Sequence, residues 1–459
     1  MLGRVKSYFQ FEELGASMRT EVVGGVTTFM TMAYIIFVNP GILSNTGMDF
    51  NAVMMATCLA AALGTTVMAL VARYPIALAP GMGMNAFFAF EIVLGFGVPW
   101  PTALGMVFIS GLLFLLLTVL HVREMLINAI PESLKLSIAA GIGLFIAFIG
   151  FQHAGLVVKN PVTLVELGDL TSKTTLISLA ALAATVVMLA AGIRGAVLWG
   201  IILAGVMGLV FGAIEIPPGV PKDVVGPAVG ALAGVEHFHV VSLPPSISPT
   251  AFKLDIPDVF TSVKWIALCL VLLFFDLFDT LGTLIGVCQQ AGFLDKEGRL
   301  PRANHALFAD AVATVAGALL GTSTTTSYIE SATGVSAGAR TGMAGLVVAL
   351  LFLLATFFAP VVELFAKPFV TAPALIVVGC LMMTAVSRIP WERMEEAIPA
   401  FLVLTVMPLT FSISRGMVAG LVSWPLLKLA AGKGREVHWL LYLLAGLLLA
   451  GVVANYLVL

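Results

Sequence analysis

The chain has 459 residues, 60% of them drawn from AVILMFWYC and only 10% charged, with a net charge of −2 and a mean hydropathy of +1.07. A soluble domain carries about a quarter charged residues, so this chain cannot cover a water-exposed surface, and the lack of basic excess argues against nucleic acid as a partner. The composition is that of an all-α, polytopic protein of the lipid bilayer.

The opening stretch, MLGRVKSYFQFEELGASMRTE, lacks the short apolar core and small-residue cleavage site of a signal peptide and reads as an amphipathic lead-in retained in the mature protein. Fourteen apolar windows follow. In the first half they fall at 20–38, 51–72, 76–91, 101–120, 132–152, 173–192 and 195–214. In the second they fall at 264–288, 303–319, 323–337, 341–366, 370–386, 397–413 and 416–431. Between the halves, residues 215–263 hold eight prolines and read as an extramembrane connection. A last apolar run, 438–459, reads either as an additional span or as an interfacial helix.

Loop charges set the orientation. With the N-terminus in the cytoplasm, sixteen of the 23 Lys and Arg residues fall inside and seven outside, as the positive-inside rule requires. Seven spans per half is an odd number, so the second half enters the membrane inverted. IRGAVLWGIILAG (193–205) and SRGMVAGLVSWPL (414–426) give weak internal support for that repeat. Inverted repeats with broken helices are a common build of secondary transporters.

The third window of each half fails as an ordinary spanning helix. In YPIALAPGMGMNAFFAFE (74–91), Pro75 and Pro80 remove backbone donors, and Gly81 and Gly83 loosen the chain before Asn85. In LLGTSTTTSYIESATGVSAG (319–338), Gly321 precedes six consecutive Ser or Thr residues, which suit an extended piece feeding a helix from near Ser327 or Tyr328. Irregular backbone at membrane depth survives only when buried in protein or lining a watery cavity. Two half-helix N-termini meeting at the midplane offer dipole ends and free N–H groups to a polar ligand. Glu330 falls in the first turn of the second half-helix, where its carboxylate accepts from ligand N–H groups. The bland alternative is that the hydroxyls merely bond back to i−4 carbonyls, which six in succession exceed.

LLFFDLFDTLGTLIG (272–286) puts Asp276, Asp279 and Thr283 along one helix face. Lys264, the nearest basic residue before them, lies about 18 Å away along a helix. The two carboxylates therefore need a partner from another segment, a bound cation or a proton, and intramembrane carboxylates commonly mark relays. Thr27 and Thr28, with Thr31, are candidates for lining the same cavity, or equally for stabilising the first span. Cys58, Cys269, Cys288 and Cys380 are dispersed, the six histidines sit near segment ends or in loops, and no metal site or cofactor is expected. Without a nucleophile–base pair or phosphate loop, the chain does not read as an enzyme.

TTFMTMAYI, APGMGMNAFF, DLFDTLGTL and GTSTTTSYIESATGVSAGARTG resemble, in order, the signature segments of AzgA-like purine permeases, a branch of the nucleobase–cation symporters. The resemblance implies the uracil-permease fold of fourteen segments in two inverted sevens. It implies a core domain at 1–130 (spans 1–4) and 264–366 (spans 8–11), and a gate domain at 131–214 (spans 5–7) and 367–435 (spans 12–14), with 436–459 beyond. It implies import of adenine, guanine or hypoxanthine with protons, sodium remaining open as coupling ion, and dimers such as the fold's relatives form through their gate domains. Glu330 matches the substrate-binding glutamate of the tenth segment and Asp279 the acidic position that contacts the base. Asp276 matches a second acidic residue of this branch, and Asn85 the third-segment asparagine. Thr283 stands where uracil permeases have a histidine linked to proton coupling. Proton coupling is expected of Asp276, Asp279 and Glu330. Phe87, Phe88 and Tyr328 offer stacking faces for a base or are packing residues, and Ser327 joins the expected binding set.

Three rivals make different demands. An anion transporter of the same fold needs a basic residue at the half-helix ends, whereas Arg340 lies ten residues past Glu330. A channel needs a continuous polar lining, but the polar residues cluster in three segments. A membrane-embedded hydrolase has only the Asp276–Asp279 pair to support it.

Overall fold

A computed structural model describes residues 2–120, 131–214, 241–293 and 300–443, with 445, 446 and 449 beyond. Of the expected connection, 215–240 lies outside the described residues, as does most of the apolar run after Arg435. The protein is mostly helical. Among the described residues, eight helices are long and apolar enough to cross a membrane: Met18–Thr46, Phe50–Ala72, Trp100–Val119, Glu132–His153, Lys173–Ala190, Ala303–Leu320, Gly342–Phe365 and Pro368–Arg388. The helix bearing the paired aspartates, Val263–Ala291, runs 29 residues, about 43 Å at the α-helical rise. The all-α expectation is amended by two short antiparallel ribbons. Leu78–Pro80 pairs with Thr325–Ser327, and Val157–Asn160 pairs with Leu164–Leu167 as a hairpin.

The chain forms two compact units. Unit one comprises Met1–Leu115 with Ile149–Val377, and unit two comprises Leu116–Phe148 with Val378–Leu459. In unit two, helices Met394–Thr410 and Ile413–Ala430 hold a buried ion pair that Glu436 extends toward the surface. Lys428 Nζ lies 2.9 Å from Glu396 and 3.2 Å from Glu436. Ser133 and the Trp424 indole N–H donate to the same Glu396 carboxylate.

All the candidate residues lie in unit one, where local chemistry fixes the helices around the first ribbon. Ser17 and Thr20 form a reciprocal capping box that starts Met18–Met32, a device worth about 1 kcal/mol. Asp49 caps Phe50–Val67 through the Ala52 amide at 2.8 Å. Glu21 is fully buried in the first helix, yet its carboxylate accepts the amides of Arg340, Thr341 and Ala344. It therefore ties the first span to the N-terminus of Gly342–Ala355, where the helix dipole favours an anion. Gly321 ends Ala303–Leu320 at φ +93°. A Cβ there would lie 2.6 Å from Thr250 Oγ1, so glycine alone can release the chain toward the ribbon.

Candidate functional site

A two-stranded ribbon leaves half its backbone groups facing outward, and in a bilayer protein each must find a partner within the protein. Thr65 Oγ1 does this for Leu78, donating to its carbonyl at 3.0 Å and accepting from its amide at 2.9 Å. Thr314 Oγ1 donates to the Thr325 carbonyl at 2.9 Å, and Ser331 Oγ accepts from the Ala77 amide at 3.0 Å. The ladder continues past both ends of the strands, with Gly81 N–H bonded to Thr324 O and Tyr328 N–H to Ala77 O. The Tyr328 hydroxyl donates to Pro80 O at 2.6 Å, so its ring is fastened to the opposite strand.

The expectation that the second half-helix starts near Ser327 or Tyr328 is corrected. Its helix is Ser331–Ser336, with Glu330 at the N-cap position. The physical reason is the ribbon: pairing through Ser327 keeps the chain extended to that point, and the first turn bond, from the Ser331 amide to the Tyr328 carbonyl, closes only beyond it. A second correction concerns free amides, since those of Ser331, Ala332 and Thr333 are already bonded to the carbonyls of Tyr328, Ile329 and Glu330. The first broken segment follows the expected pattern more closely. Leu78–Pro80 leads through Gly81 into the helical turn Met82–Ala86, which contains Asn85.

Glu330 is half-buried, and the hydroxyl of fully buried Tyr34 donates to its Oε1 at 2.6 Å. Asp279 projects from Val263–Ala291 toward the start of the first half-helix, its Oδ2 within 3.6 Å of where a Gly81 Cβ would stand. It lies within electrostatic reach of Asp310 and Glu330. Tyr34 in turn lies within reach of Glu330, Tyr328 and Asp279. Two acidic side chains and two phenols thus converge where the broken segments cross.

A denser polar cluster backs this crossing. Thr280 Oγ1 donates to Asp310 Oδ2 at 2.6 Å, Ser327 Oγ donates to Oδ1 at 3.1 Å, and Thr326 meets Thr280 at 2.8 Å. Thr314 Oγ1 also lies 3.1 Å from Asp276 Oδ2, so Asp276 faces Ala303–Leu320. Thr283 is buried one turn beyond Asp279. Asn85 accepts from Ser323, and Asn39 donates to Thr57 and Thr322.

The remaining expected residues are structural in their contacts. Phe87 and Phe88 are wholly buried, and Phe87 packs edge-on against Phe275 with centroids 5.9 Å apart. Thr27 and Thr28 are buried in the first helix beside the short helix Ser331–Ser336, where Thr31 meets Thr333 at 3.0 Å. Sequence reasoning missed Tyr34, Asp310, Thr280 and Thr314. Asp310 carried a usable signal, an acid inside the apolar run HALFADAVATVAGALLG. Tyr34 carried none, since nothing local marks a phenol that meets a carboxylate 296 positions away.

A family model described as Permease family matches residues 19–419. A guanine/hypoxanthine permease of Bacillus subtilis is 45% identical over 449 residues, covering 95% of this chain and 97% of that one. An adenine permease of Escherichia coli is 39% identical over 436 residues, covering 95% and 93%. A putative permease of Methanocaldococcus jannaschii is 49% identical, covering 96% of each. Among solved structures, the transmembrane domain of a cyanobacterial bicarbonate transporter aligns with a TM-score of 0.62 at 15% identity, over 88% of this chain and 97% of that one. At that identity the likeness speaks for the fold alone.

Proposed function

The chain belongs to the Permease family, and from that membership we propose that it imports a purine nucleobase, guanine, hypoxanthine or adenine, by proton symport through alternating access. The observation that carries the reading is the convergence of Glu330 and Asp279 at the crossing of the two broken segments. Carboxylates accept charge-assisted bonds from the ring N–H groups of a purine. Asp276, Asp279 and Glu330 supply the groups that take up and release the proton. Fourteen spans in two inverted sevens, the N-terminus in the cytoplasm, and a core domain carrying the site against a gate domain complete the proposal. The antiparallel pairing of the third and tenth segments supports the inverted relation.

The nearest rival is an anion transporter, the activity named for the bicarbonate transporter of similar fold. The charges at the crossing oppose it. Arg340 donates from Nη1 to the Val335 and Ala339 carbonyls at 2.7 Å, closing the C-terminal end of the short helix away from its start at Glu330.

The test is uptake of labelled hypoxanthine, guanine and adenine into proteoliposomes under an imposed inward proton gradient, with a sodium gradient as the parallel arm. Proton-driven accumulation of one base by the wild type, lost in Glu330→Ala, is the expected result. A variant that accumulates the base as the wild type does removes Glu330 from the site.

A further inference from the structure

Tyr34 stands where the first span is interrupted. Met18–Met32 closes at Ala33, and Tyr34 is the N-cap residue of Ile35–Leu43. Its ring is 1% exposed, and its hydroxyl reaches Glu330 Oε1 at 2.6 Å, the short distance typical of a hydroxyl bonded to a charged oxygen. The two residues are also joined through the backbone. Thr333 donates from its amide and hydroxyl to the Glu330 carbonyl at 2.9 and 2.6 Å, and the same hydroxyl meets Thr31, three residues before Tyr34. Glu330 is therefore held at its main chain by one link and at its carboxylate by another.

We propose that Tyr34 is a positioning and specificity residue: by donating to Oε1 it fixes the carboxylate and takes one of that oxygen's two lone pairs, so Oε2 is the stronger acceptor offered to the base. This rests on the reading of Glu330 as the base-binding carboxylate. A carboxylate with both oxygens open matches a parallel pair of N–H donors and binds them bidentately. Guanine carries such a pair in its N1–H and 2-amino group, whereas hypoxanthine has the same N1–H without the amine. A Glu330 whose Oε1 already receives a phenol takes the donor the two bases share at Oε2 and gains less from the second. The phenol thereby makes a site that accepts both 6-oxopurines on similar terms.

The perturbation is Tyr34→Phe, which keeps the buried ring and the Thr31–Thr333 link and removes one oxygen. The assay is competition of labelled hypoxanthine uptake by unlabelled guanine and hypoxanthine in proteoliposomes, with thermal-shift titration of the purified protein by each base as a second readout. In the wild type the two affinities should lie within about threefold, well below the tenfold that 1.4 kcal/mol represents. In Tyr34→Phe the affinity for guanine should rise relative to hypoxanthine by about tenfold, the worth of one bond to a charged group.

Affinities that move together in Tyr34→Phe, leaving their ratio at the wild-type value, overturn the proposal, because a merely structural phenol shifts both alike. A wild type that already prefers guanine more than about tenfold overturns it without any variant. Glu330→Gln in the same assays separates the two claims. If it binds both bases as the wild type does, the base-binding role of Glu330 is what fails. If it weakens both while Tyr34→Phe leaves the ratio unchanged, only the role of Tyr34 falls.

Discussion

Gly334→Ala puts one methyl group where two helices touch. Gly334 lies in Ser331–Ser336 against Met18–Met32, and the new Cβ would stand 2.6 Å from the Gly24 carbonyl oxygen while colliding with Thr28 Oγ1. Thr28 can turn its hydroxyl away. The Gly24 carbonyl is helix backbone and cannot. Relief requires the helices to part by about 1 Å, since carbon and oxygen settle near 3.5 Å in a close-packed interior. Overpacking of this kind costs about 1–3 kcal/mol, and alanine's better helix propensity returns no more than about 1 kcal/mol of that. The displacement falls on Glu330, adjacent to Ser331, and stretches its 2.6 Å bond from Tyr34 toward the limit at which it ceases to be a hydrogen bond. Hypoxanthine uptake by reconstituted protein should fall about tenfold or more in kcat/KM, with a lower Tm in detergent. Gly41→Ala is the control, because its methyl would find its nearest neighbour, the Ala366 carbonyl oxygen, at 3.8 Å. Wild-type KM and Tm in Gly334→Ala would refute the close-contact argument.

Three further changes test the frame. Thr65→Val keeps the shape but strips both the amide and the carbonyl of Leu78 of their partner; about 2–4 kcal/mol should be lost, read as a fall in Tm that Thr65→Ser restores. Asp310→Asn leaves one acceptor oxygen where the carboxylate now receives Thr280 and Ser327. Its uptake should drop about tenfold for the loss of a charged acceptor while elution stays monodisperse, and full activity would show that Asp310 needs no charge. Lys428→Met strands Glu396 in unit two without its cation, 2.9 Å away in the native protein. Removing one partner of a buried pair costs about 3–5 kcal/mol. Arg388→Met, which breaks a pair whose side chains are 65% and 72% exposed, should leave Tm within error. Equal effects of these last two would contradict the burial argument.

The two broken segments were legible because proline, paired glycines and a hydroxyl run disagree with an apolar helix, and the disagreement is local. Asp276, Asp279 and Thr283 on one helix face were legible from spacing alone. What the sequence hid was pairing across distance. Nothing near Leu78 announces that it will face Ser327, so the delay of the second half-helix to Ser331 could not be read from the helix propensity of residues 327–330. Asp310 was overlooked because Ala303–Leu320 is an otherwise ordinary apolar helix and one acid does not break its pattern. Phe87 looked available for stacking because it sits beside a break. Only the fold shows that its ring is wholly buried and packed edge-to-face with Phe275.

The hydroxyl run itself now reads differently. Thr322 receives Asn39, Ser323 bonds Asn85, the Thr325 carbonyl receives Thr314, Thr326 meets Thr280, and Ser327 donates to Asp310. These bonds fasten the run 322–327, which ends in the three-residue strand Thr325–Ser327, to Ile35–Leu43, Met82–Ala86, Val263–Ala291 and Ala303–Leu320. A strand so short has too few ladder bonds to hold its own place at membrane depth, and side-chain hydroxyls supply the rest. Ser327 is thereby committed to the frame. The acidic groups left at the crossing after the ladder closes are Glu330, the first acidic residue beyond it, and Asp279, which approaches from Val263–Ala291. The polar residues that made the stretch conspicuous fasten the ribbon, and Glu330 and Asp279 are the carboxylates that the proposed function assigns to the base.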